Sequence, residues 1–103
     1  MTLEDRPDSL VIIGSGAIGM EFASFYADLG AEVTVVELLP RILPVEDEEI
    51  SDLARKAFEK QGMTILTSAT VKALKKAKGA VTATIEQDGK SSSLKVDKVI
   101  LAV

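Results

Sequence analysis

The 103-residue sequence contains no cysteine, histidine or tryptophan. Without cysteine there is neither a disulfide framework nor a thiol nucleophile. Without histidine, the side chain that most often moves protons near neutral pH is missing. Two of the three prolines, Pro40 and Pro44, bound one short segment, so most of the chain is free to form regular structure. Long apolar runs are absent too: Val99 to Val103 is far too short to cross a bilayer. The N-terminus is acidic and polar where a secretory signal needs a basic region. Positive charge is in the minority, with 12 Lys and Arg against 16 Asp and Glu, a net charge of −4 that would repel nucleic-acid phosphates. No nucleic acid, membrane or metal is expected as a partner.

What is present is core material. A hydrophobic content of 47% fits one packed domain, small for carrying an active site alone. Ser9 to Ile13 is an apolar, β-branched run that reads as a buried strand. Ala17 to Leu29 reads as a helix with Ile18, Phe22, Phe25 and Leu29 on one stripe, stopped by Gly30. On that reading the stripe faces the sheet. Met20, Ala23 and Ala27 then form a small outward strip, which a further layer of a larger protein would cover. Residues 31–37, "AEVTVVE", form a second strand ending in a carboxylate, and "LLPRILP" is a loop. A second helix is predicted from about Asp47 to Gln61, with Ile50, Leu53, Ala54, Ala57 and Phe58 at helical spacing. Its first turn is acidic, its last basic, and Gly62 follows. "MTILTS" is a third strand.

From Thr70 to Val96 residues alternate, and turn signals recur at Lys78-Gly79 and Asp88-Gly89. That pattern predicts an antiparallel hairpin or three-stranded meander in place of a third crossover helix. The terminal "KVILAV" is apolar on both faces, as a central parallel strand is. Lys72, Lys75, Lys76 and Lys78 read as solvated guards of an exposed strand. The expected fold is α/β: a Rossmann-like parallel sheet with flanking helices and an antiparallel β-meander replacing one crossover helix.

Gly14, Gly16 and Gly19 match G-x-G-x-x-G between a predicted strand and a predicted helix. The first glycine permits the tight turn and the second lets the backbone approach a pyrophosphate. The third allows close packing of helix on strand, and the helix start offers free N–H groups. Glu37 ends the second strand, 23 residues past Gly14, where a carboxylate accepts hydrogen bonds from an adenosine ribose. The same residues hold the adenosine half of FAD or of NAD, so spacing leaves that choice open. NADP is disfavoured. A 2′-phosphate near Glu37 would set like charges together, worth about 4 kcal/mol per unit pair at an effective dielectric of ~20. Arg41 is the only nearby basic candidate, and with Leu38 and Leu39 apolar there is no second basic residue to complete a phosphate clamp.

The stretch "LVIIGSGAIGMEFASFYADLGAEVTVVELLPRILPVEDEEI", with "KQGMTILTSATV" and "VDKVILAV", resembles a domain of the pyridine nucleotide-disulfide oxidoreductases. Within that flavin-dependent family it resembles the NAD-binding domain of the dihydrolipoamide dehydrogenase branch, over Pro7 to Val103. The resemblance implies a parent enzyme that passes two electrons from dihydrolipoamide through a redox disulfide and FAD to NAD+. It implies as partners an FAD domain, a dimer-interface domain and a lipoyl-bearing 2-oxo acid dehydrogenase complex, in the cytoplasm or, in a eukaryote, the mitochondrial matrix. The NAD-binding set it implies is Gly14, Ser15, Gly16, Ala17, Ile18, Gly19, Glu37 and Leu38. Val71 matches a family position that touches the adenine, although a plain buried strand residue would look the same. Glu21 matches a carboxylate near the nicotinamide that supports catalysis in the parent only; a carboxylate placed by the helix dipole would also look the same.

The family's disulfide and acid–base histidine have no counterpart here, and its Gly-Arg-x-Pro continuation does not follow "VDKVILAV". The chain is therefore expected to be a single NAD-binding domain, residues 1–103, excised from a larger enzyme, inactive alone and free of FAD. Two alternatives belong to other classes. One is an NAD-sensing regulatory module, against which the meander counts; the other is the FAD-binding half of a flavoprotein.

Overall fold

In a computed structural model, residues 7–43 and 47–102 are described. In chain order they form β1 (Ser9–Ile13), α1 (Ala17–Asp28), β2 (Glu32–Val36), α2 (Glu48–Lys60), β3 (Thr64–Leu66), β4 (Ala69–Ala77), β5 (Ala80–Gln87), β6 (Lys90–Val96) and β7 (Lys98–Leu101). Pro44 of the expected loop, Met1 and Val103 lie outside the described residues.

The parallel sheet runs β3-β2-β1-β7, and β4-β5-β6 make a separate antiparallel sheet. Side chains alternate across a strand, so β1 feeds two cores. Leu10 and Ile12 pack with Met20, Ala23 and Tyr26 of α1 and with Val33, Val35 and Ile65. Val11 and Ile13 pack the other way, with Ala83 and Ile85 of β5 and Val96 of β6. The order of layers is helices, parallel sheet, antiparallel sheet, which bears out the α/β fold with a meander. Asp88 and Gly89 both have positive φ (53° and 75°), as a two-residue hairpin turn of this kind requires. At the start of α2 the Asp47 carboxylate accepts the Glu49 N–H at 2.9 Å, an N-cap that fixes where the helix begins.

Two expectations are corrected. The first concerns which side of α1 faces the sheet. Met20 and Ala23 are buried and Ala27 packs against the core, whereas Ile18, Phe22 and Phe25 are 67%, 43% and 51% exposed. Of the expected inner stripe, only Leu29 packs on the core. The cause is Gly19: a Cβ there would stand 2.7 Å from the Gly14 carbonyl oxygen and 3.2 Å from Ala102 Cβ. Where backbone approaches backbone that closely, the smallest residue must point inward. Ala23 and Tyr26 follow Gly19 on the same side at helical spacing.

The second correction concerns β7, which is an edge strand beside β1 rather than a central one. Val99 packs on the meander's core and Ile100 on the helices' core. Apolar residues on both faces thus report cover above and below, and say nothing of place in the strand order. Asp97 pins the corner leading into β7: its carboxylate accepts the N–H groups of Asp8 (2.8 Å) and Ser9 (3.3 Å) at the start of β1.

Candidate functional site

The carboxyl ends of β1, β2 and β7 converge on one cleft, the place where open parallel sheets bind ligands. Its volume is about 730 Å³. Gly14, Ser15 and Gly16 form one wall; Val36, Glu37 and Leu38 form a second; β4, from Ala69 to Leu74, forms the third. Backbone bonds lock these pieces together. The Gly14 N–H donates to Val36 O (2.9 Å), the Ala102 N–H to Ile13 O (2.8 Å) and the Ala69 N–H to Glu37 O (3.0 Å).

Each motif glycine meets a separate requirement. Gly14 has φ 108°, a conformation closed to most side chains, and so permits the turn out of β1. Gly19 seats α1 against Gly14 and Ala102. Gly16, the N-cap of α1, has ordinary extended angles (φ −67°, ψ 177°). A Cβ on it would meet no heavy atom within 4 Å. The fold itself makes no use of a glycine at that position. The space beside it belongs to the cleft, at the end of a helix whose first N–H groups lack intrahelical partners.

A carboxylate at a strand end is usually solvated and costs little stability when removed, but Glu37 is placed otherwise. It is only 7% exposed. Its Oε1 accepts the Ser15 N–H at 3.1 Å and the Ser15 hydroxyl, and its Oε2 accepts the Leu39 N–H at 2.9 Å. Glu37 thus links the glycine turn to the loop after β2, and the same loop returns when the Leu43 N–H donates to Ser15 O (2.9 Å). Removing the carboxylate strands buried donors at 1–3 kcal/mol for an unmade bond. Glu37→Ala is therefore expected to destabilise the chain by about 2 kcal/mol, read by denaturant unfolding; Glu37→Gln, which keeps acceptor capacity, should be milder.

Of the residues read from the sequence as cofactor-binding, Gly14, Ser15, Gly16, Glu37, Leu38 and Val71 come together around the cleft. Ala17, Ile18 and Gly19 do not line it: Gly19 is buried beneath the turn, while Ala17 and Ile18 are exposed. Glu21 is exposed and borders a second depression with Met20, Leu43 and Phe58. It stands beyond the first turn of α1, which holds no acidic residue, so the helix dipole does not account for it.

The sequence reading missed that Lys72 reaches the cleft. Lys72, Lys75 and Lys76 are exposed on the edge strand β4 as expected, and Lys78 is exposed in the turn that follows it. A β-bulge between Val71 and Ala73, however, makes Lys72 the extra residue and brings it to the cleft wall, 4.0 Å from Glu86 across the strand pair. A bulge follows from register, and no residue in "TVKAL" announces it.

The pattern of the pyridine nucleotide-disulphide oxidoreductase family matches residues 1–103. The chain belongs to that family. Similarity extends to the dihydrolipoyl dehydrogenase of Rhizobium etli, 53% identical over 98 residues, which cover 94% of this chain and 20% of that protein. The dihydrolipoyl dehydrogenase of Zymomonas mobilis is 50% identical, over 94% of this chain and 21% of that protein. Among solved structures, the HOCl-induced flavoprotein disulfide reductase RclA of Escherichia coli superimposes with a TM-score of 0.82 at 32% identity, over 96% of this chain and 22% of that one. The chain spans about a fifth of the length of the curated relatives it matches. Among the described residues, no helix is long and apolar enough to cross a membrane.

Proposed function

We propose that residues 1–103 are the NAD(H)-binding domain of a larger, flavin-dependent dihydrolipoyl dehydrogenase. The observation that carries this reading is the difference between the glycines. Gly14 and Gly19 answer to the chain's own geometry, whereas Gly16 answers only to something that occupies the cleft. A dinucleotide fits that demand. Gly16 and the start of α1 would hold its pyrophosphate, Glu37 its adenosine ribose, and Leu38 and Val71 its adenine, all of them residues that border the cleft. Both relatives named above are dihydrolipoyl dehydrogenases of about five times this length, which supports a parent with FAD and interface domains.

In that parent, a bound NAD+ would supply the hydride-accepting chemistry for electrons drawn from dihydrolipoamide. The chain's own residues bind and orient the dinucleotide and set its type. The buried Glu37 carboxylate opposes a 2′-phosphate and so favours NAD(H) over NADP(H). Glu21 takes a supporting place near the nicotinamide, and a lipoyl-bearing 2-oxo acid dehydrogenase complex supplies the substrate.

The purified chain is expected to be colourless, with no absorbance near roughly 450 nm where bound oxidised flavin absorbs. It is also expected to form no NADH from dihydrolipoamide, because it holds no cysteine or histidine. Calorimetric titration with NADH, NADPH and FAD tests the assignment. Binding of NADH ahead of the other two supports it, and FAD retained or bound most tightly moves the site to the flavin half of such an enzyme.

A further inference from the structure

We infer that Ser15 is a positioning residue whose hydroxyl acts through Glu37, so that the Ser15–Glu37 pair sets the choice between NAD(H) and NADP(H). The inference rests on the reading of the cleft as an NAD(H) site. Ser15 is 1% exposed although it stands in a glycine turn at a cleft. Its hydroxyl points to Glu37 Oε1, which also accepts the Ser15 N–H.

An ionised carboxylate offers about four acceptor sites, two per oxygen. Two donors on Oε1 and the Leu39 N–H on Oε2 leave one site, on Oε2. The carboxylate is thereby fixed in plane and presents one oxygen to a ribose hydroxyl. Without the Ser15 hydroxyl, Oε1 keeps a single N–H donor and the carboxylate is held by two bonds in place of three, so its orientation toward the ribose is less tightly fixed. NADH, which uses the bond to Glu37, then loses affinity. NADPH carries a phosphate where that hydroxyl would be and has no such bond to lose.

The other contacts of Ser15 use its backbone: the N–H to Glu37 and the carbonyl that accepts the Leu43 N–H at 2.9 Å. Ser15→Ala therefore deletes the hydroxyl contact and leaves the turn's frame in place.

The test is a double-mutant cycle on the 103-residue chain, with NADH and NADPH dissociation constants measured for wild type, Ser15→Ala, Glu37→Gln and the double variant. Ser15→Ala is expected to weaken NADH by about three- to tenfold, the range that one hydrogen bond's net worth supports, and NADPH by less than about twofold. In the Glu37→Gln background the same change should leave the NADH-to-NADPH ratio within about twofold. Ser15→Thr keeps the hydroxyl and should keep the preference. Equal weakening of both cofactors, the same ratio change with Glu37 already replaced, or loss of the preference in Ser15→Thr overturns the inference while the NAD(H) reading stands. A wild-type chain that shows no preference for NADH overturns both.

Discussion

Gly19→Val is expected to lower stability by about 3 kcal/mol, at the upper end of the usual cost of overpacking. The reason is local. The added Cβ would stand 2.7 Å from the Gly14 carbonyl oxygen, an atom of backbone that cannot swing aside as a side chain does. Relief requires α1 to lift from β1, which would open the contacts of Met20, Ala23 and Tyr26 with Leu10 and Ile12. For a domain near 100 residues, 3 kcal/mol corresponds to a fall in Tm of roughly 12–24 °C, readable by circular dichroism on heating. A variant that melts within about 2 °C of wild type would show that the helix is not seated as described.

Gly16→Val is expected to do the reverse. Its backbone angles are ones that any residue adopts and its neighbourhood is open, so the folded chain should lose no more than about 1 kcal/mol, mostly from a poorer helix start. Cofactor binding should nevertheless fall by about a hundredfold or more. A branched side chain would stand where the pyrophosphate meets the backbone, and two charge-assisted bonds at ~1.5–3 kcal/mol each are enough for that loss. A folded Gly16→Val that binds NADH like wild type would reduce the motif to an ordinary turn. Taken together, the two variants separate a glycine that the fold needs from one that a ligand needs.

The sequence announced the elements well because each was marked twice, once by the period of its apolar residues and once by its punctuation. Gly30, Asp47, Gly62 and Asp88-Gly89 stand at the ends where caps and turns were read, and β1 was delimited to the residue. The face of α1 was harder, because two apolar stripes lie one residue apart on it. Ile18, Phe22 and Phe25 follow one line, and Gly19, Ala23 and Tyr26 the next. Hydrophobic size favoured the wrong one. The glycine motif held the answer, since a glycine present for close packing has to be on the packed side. Nothing local disclosed the burial of Glu37, which depends on a turn 22 residues away, or the bulge that turns Lys72 to the cleft.

The most direct measurement is a side-by-side titration of the isotope-labelled chain with NADH and NADPH, followed through backbone amide NMR shifts. The account predicts that NADH moves the amides of Gly14 to Gly19, Leu38 and Val71 together, with an affinity at least about tenfold above that for NADPH, as expected of a 2′-phosphate held off by the buried Glu37 carboxylate. Tighter binding of NADPH, or NADH shifts that leave the glycine turn unmoved, would contradict it.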